Sequence, residues 1–188
     1  AQTAHLHWSL ACHFPRRLFV LLPFAFAGGQ LFAPLAQAQV AAPPEAAKLN
    51  GQHPAAYYKA AAEMFGAGRK DEAVFIFYLG QLRYRVHLQA RLPELKPDGD
   101  PALFGSLSET VGRPINQYAF GDLPALSKTI DAVLAWDSAN PDSFTPPDRY
   151  AGVYNSTRNG LVQMRTQLLQ QADSIRAQRK ANGLENRN

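Results

Sequence analysis

The segment from Arg16 to Ala38 sets the strictest limit on what this chain can fold into. Arg16 and Arg17 precede the apolar run Leu18–Ala27; Gly28, Gly29 and Gln30 follow, and a second apolar patch ends in Ala36-Gln37-Ala38. Basic residues, an apolar core and a small-x-small site, in that order, read as a secretory signal peptide cleaved between Ala38 and Gln39. As a helix, Leu18–Ala36 would reach about 28 Å, barely a bilayer core. Pro23, Gly28, Gly29, Gln30 and Pro34 also interrupt it, so cleavage is expected rather than a retained membrane anchor. The exported part would be periplasmic or secreted.

Gln39–Asn188 then carry the fold, 150 of the 188 residues, which is the usual size of one domain with a single core. The formal net charge of +4 includes Arg16 and Arg17, so the remaining chain is only mildly basic and nothing in it points to nucleic acid. The lone cysteine, Cys12, precedes the cleavage site, which leaves no disulfide, thiolate nucleophile or cysteine metal site. Stability must come from burial. Arg16-Arg17-Leu18-Phe19-Val20 resembles the core of a twin-arginine export signal, although Pro15 and Leu21 depart from that pattern; ordinary secretory export fits as well. Residues 1–14 lack a starting Met and are not built upon.

Proline and glycine divide what remains. Residues 39–52 read as an extended Ala/Pro-rich leader, and helix signals begin at His53-Pro54. Ala55–Ala67 is Ala-rich and is stopped by Gly66-Ala67-Gly68. Asp71–Ala90 is the longest clean helical pattern, and Leu92–Asp100 is a loop. Asp100-Pro101 and Asp122 with Pro124 each read as a capping aspartate followed by a first-turn proline, with a kink at Pro114 between them. Asp148 to about Lys180 reads as one long helix, with Tyr150, Val153, Tyr154, Thr157, Leu161, Met164, Leu168 and Ile175 at three-to-four spacing. Residues 181–188 read as a frayed polar tail. No stretch alternates as a strand would. The expectation is an all-α domain over 53–180, a compact bundle of five or six helices built from antiparallel hairpins.

Tyr57, Ala60, Ala61, Met64, the turn glycine Gly68 and Ala73-x-x-x-Phe77 occupy the spacing of a tetratricopeptide hairpin. Residues 57–80 thus resemble one degenerate tetratricopeptide-like unit. The small residues Ala61, Ala73 and Gly80 allow close helix approach, and Tyr57, Met64 and Phe77 fill the seam. The closing proline is missing, and no second copy follows at a 34-residue period, whereas a solenoid stacks several units. The resemblance implies a protein-binding scaffold.

Candidate chemistry is sparse. Arg83 and His87 lie one turn apart on a helix face, in the most basic stretch of the chain; they could grip a carboxylate or phosphate, or belong to a solvated face. His53 and His87 are the two histidines after Ala38, too distant in sequence to suggest a metal site, and no spacing dictates a carboxylate partner for His87 as a base. No metal and no cofactor are expected. Helix-borne Glu63 and Glu109 are candidate acids for a cell-wall hydrolase. In Arg113-Pro114-Ile115-Asn116-Gln117-Tyr118, Asn116 suits a packed corner, bonding backbone groups freed by the helix break; Arg113 and Tyr118 suit a recognition loop. Without nucleophile motif, metal cluster or phosphate loop, the sequence points to an exported monomer that binds a protein partner in the envelope, an inhibitor or immunity-type protein. A wall hydrolase and a tetratricopeptide-like assembly scaffold are the alternatives.

Overall fold

The computed structural model describes residues 40–188; the expected signal segment and its cleavage site lie outside them. The described chain is all helical: α1 Pro44–Leu49, α2 Ala55–Gly66, α3 Lys70–Arg91, α4 Asp100–Leu107, a π-helical turn Ser108–Gly112, α5 Arg113–Ala119, α6 Leu123–Ala139, α7 Pro147–Gln170 and α8 Ala172–Ala181. No helix among the described residues is long and apolar enough to cross a membrane.

The bundle is built around α3. From Ala73 to Leu88 every residue except Arg85 is buried, because α2, α4, α5, α6 and α7 all pack against this helix. A helix enclosed on all sides needs apolar residues all round, and Val74, Phe75, Ile76, Phe77, Tyr78, Leu79, Leu82 and Val86 supply them. Its polar members, chiefly Arg83 and His87, must therefore find partners inside the protein.

α2 and α3 form the expected antiparallel hairpin, turning through Gly68 at φ +84°. Gly80 sets the approach: a Cβ there would lie 2.4 Å from Tyr57 Cβ, so only glycine permits this spacing. Ala61 and Ala73 are fully buried in the same core.

Three boundaries differ from expectation. Part of the leader is helical, because Pro43-Pro44 starts α1 and Ala46 and Leu49 are buried. The long final helix breaks at Gln171, with φ −106° and ψ 16°. The tail folds back, the Arg187 N–H donating to the Gly121 carbonyl at 2.7 Å and Asn188 to Asp122 Oδ1 at 3.1 Å.

At Pro114 the helix widens instead of ending. A proline clashes with the carbonyl four residues earlier and brings no N–H; the π turn over Ser108–Gly112 opens the coil ahead of it and lets α5 continue. π turns of this kind recur at functional sites.

Candidate functional sites

Two places gather the polar side chains. The first is a buried seam along one face of α3. Arg83, fully buried, donates from Nε to Asp137 Oδ1 at 3.1 Å. Its Nη1 donates to Asn50 Oδ1 at 2.7 Å and to the Tyr57 hydroxyl at 2.6 Å. Its Nη2 donates to the Asn140 carbonyl at 2.8 Å. The guanidinium lies 5.1 Å from the Trp136 ring and 5.6 Å from that of Tyr57, and Asp142 Oδ1 is 3.8 Å from Nη1. Asp137 also accepts from Arg158 at 2.7 and 2.9 Å. Burial opposes the charge on Arg83, but the surrounding Tyr57, Asp137 and Asp142 outweigh it and hold the group above the ordinary arginine value. Burial pushes the Tyr57 hydroxyl up to about 12.

One turn on, His87 Nε2 stands 2.8 Å from Asp100 Oδ2, and His53 Nε2 stands 3.2 Å from Oδ1 of the same carboxylate. The Tyr84 hydroxyl donates to Asp100 Oδ1 at 3.3 Å. Burial would raise Asp100; the hydrogen bonds from His87 and His53 prevail and hold it below the usual carboxylate range. Asp100 therefore bridges two histidines instead of capping α4, as its place before Pro101 had suggested. The histidines that are far apart in sequence have rings 5.6 Å apart, and His87 has the carboxylate that no spacing dictated.

His53, His87 and Asp100 are the residues that would hold a metal. Their hydrogen bonds oppose it. The Ala55 N–H donates to His53 Nδ1 at 3.1 Å, so a neutral His53 carries its proton on Nε2, the atom that faces Asp100. A ligating Nε2 needs that proton on Nδ1, held by an acceptor; His53 offers it a donor there, and His87 Nδ1 is buried without a partner. The trio is a hydrogen-bonded bridge, His53 and His87 each donating to Asp100.

The solvated-face reading of Arg83 and His87 is thereby corrected. Both grip carboxylates, but those of their own chain, because α3 is enclosed.

The second place is a groove of about 400 Å³ lined by the π turn, α5 and α8, including Glu109, Arg113, Asn116, Phe120, Ile175 and Arg179. Glu109 and Arg113 are exposed and paired with each other. Asn116 Oδ1 accepts from the buried Tyr78 hydroxyl at 2.9 Å, a side-chain partner in place of the expected backbone groups. Tyr118 sits beside the groove, donating to Asp71 Oδ1 at 2.8 Å, with the Arg187 guanidinium 3.6 Å from its ring centroid. The structure thus brings Glu109, Arg113 and Asn116 together and sets Arg83 and His87 apart. Glu63 is exposed on α2. A general acid is tuned by burial away from cations, and neither Glu63 nor Arg113-paired Glu109 has that setting.

Sequence reasoning missed Arg179. It lies in an otherwise polar stretch, and its hydrogen-bond partners come from the folded-back tail. Asp100 was mistaken for a cap, since partners 13 and 47 residues away leave no local pattern.

No family model, no curated protein and no solved structure matches this chain.

Proposed function

We propose that this is an exported, periplasmic or secreted, helical protein that acts as a monomer by binding a partner protein of the envelope, as an inhibitor or immunity-type partner would, through the groove between α5 and α8. The observation that carries the reading is the groove itself. It combines an apolar floor, Phe120 and Ile175, with the amides Asn116, Gln117, Gln178 and Asn182 and the cations Arg113 and Arg179. Apolar floor, hydrogen-bonding rim and arginine together are the composition of protein-recognition sites. The signal-like segment Arg16–Ala38 supports the compartment, and the near-neutral charge of residues 39–188 supports a protein rather than a nucleic-acid partner.

The test is affinity capture by the tagged full chain, recovered from the envelope of an exporting host. One stoichiometric protein is expected. It should be lost with the groove variant Arg113→Glu/Gln117→Arg and kept with Lys59→Glu/Lys128→Glu, which alters exposed sites elsewhere. A partner equally retained by both variants removes the groove from the reading, and no partner at all overturns it.

A further inference from the structure

Arg179 is 8% exposed, and no carboxylate among the described residues pairs with it. Its Nε donates to Asn186 Oδ1 at 3.1 Å and its Nη2 to the Glu185 carbonyl at 2.6 Å, both neutral acceptors. Nη1 has no hydrogen-bond partner among the described residues, and the side chain lines the groove.

A second guanidinium stands beside it. An ideal Cβ on Gly121 would lie 3.0 Å from Arg187 Nε and 3.2 Å from Arg179 Nη2, so the two cationic groups converge on one backbone position. Arg187 is satisfied by the Tyr118 carbonyl at 2.8 Å and by the Tyr118 ring, again neutral. Burial first, and then the like charge of Arg187, hold Arg179 below the ordinary arginine value. Asp122, next to Gly121, has its Oδ1 taken by the Ala125 N–H at 3.0 Å and by Asn188; Asp173 pairs with Arg176, and Glu185 is exposed and meets Arg179 through its backbone carbonyl. Glu109, the acid in the lining, is paired with Arg113.

A guanidinium held only by neutral partners, with Nη1 still open to the groove, is poised to take an anion. Arginine offers a planar fork that matches a carboxylate. We propose that Arg179 is the receptor for a carboxylate on an acidic segment of the partner, with the apolar side chain next to that carboxylate resting on Phe120 and Ile175. Arg187 raises the positive potential behind the fork, and Arg113 with the amides Asn116 and Gln117 holds the flanking backbone. This rests on the groove being the partner-binding face and names the chemistry it selects.

The test uses immobilised, acetylated hexapeptides with Glu or Gln at the fourth position and Phe, Leu, Ile or Ala before it, probed with the labelled full chain. The Glu peptides following an apolar residue should retain the protein, and their Gln counterparts about tenfold less, the size of one charged hydrogen-bond pair. Gln178→Glu, at an exposed rim position, places a carboxylate of the chain itself at the mouth and should weaken retention about tenfold while leaving the fold alone. Arg179→Met should abolish retention, and circular dichroism checks that it folds. Equal retention by Glu and Gln peptides, no retention by either, or no effect of Gln178→Glu overturns the proposal. So does release by inorganic phosphate at the peptide's own concentration, which marks a small-anion site. If the arrays stay blank while groove-dependent capture succeeds, the binding reading stands and the acidic specificity falls. Positive arrays with no captured partner do the reverse.

Discussion

Arg83 and Asp137, 54 positions apart, meet in the fully buried centre of the protein with Nε 3.1 Å from Oδ1. Each is held by further partners: Arg83 by Asn50, Tyr57 and the Asn140 carbonyl, Asp137 by Arg158. Removing one member of a buried pair costs about 3–5 kcal/mol where the other is left uncompensated, and toward the lower end where, as here, Arg158 still meets Asp137. Arg83→Met should lower the unfolding free energy by about that much. The double variant Arg83→Met/Asp137→Leu should recover part of the loss. Urea unfolding of the four proteins of the cycle measures this, and strict additivity would contradict a direct pair.

Gly80→Ala isolates the close approach of α2 and α3. Alanine is the better helix former by about 1 kcal/mol, but its Cβ would lie 2.4 Å from Tyr57 Cβ. Overpacking of this kind costs about 1–3 kcal/mol, so the variant should be less stable on balance, and pairing it with Tyr57→Phe should not restore stability. Thermal melts decide, and a stabilised Gly80→Ala would mean that the helices separate freely.

The Asp100 bridge predicts an acid-side loss of stability. Its folded value is depressed by His87 and His53. The contribution is therefore fully present above the ordinary carboxylate value and disappears as pH falls through the lower folded one. Denaturant unfolding between pH 7 and pH 2 should show this slope in the wild type and a flatter one in Asp100→Asn.

The same bridge predicts a tautomer. Long-range proton–nitrogen NMR at pH 8 should find His53 and His87 protonated on Nε2. Equimolar zinc should leave the melting temperature and those resonances unchanged. A zinc-dependent rise in melting temperature that is lost in both His53→Ala and Asp100→Asn would overturn the hydrogen-bonded account.

The helical class, the 55–66 and 70–91 hairpin and the Asp122 cap were legible because they depend on local signals: small residues at the seam, glycine at the turn, and a carboxylate accepting the Ala125 N–H. α1 was missed because Pro43-Pro44 reads equally as an extended leader. The break at Gln171 leaves no proline or glycine to mark it. The sites were less legible for a different reason. A histidine at 53, one at 87 and an aspartate at 100 share no period, and Arg83 reads as a surface cation until the enclosure of α3 is known. In the groove, Arg113 and Asn116 were visible as a helix break with recognition-type residues, whereas Arg179 takes its hydrogen-bond partners from the folded-back tail.

The Arg83 hub also predicts an order of assembly. A chain made from its N-terminus contains Arg83 long before Asp137 and Asp142 exist, and until they arrive the guanidinium must keep its water. The middle of α3 therefore cannot dry out around a half-made product. Fragments ending before Asp137 should hold a hydrated, open interior and be readily cut by proteases. Burial of a single side chain thereby ties the middle of α3 to residues 137–142.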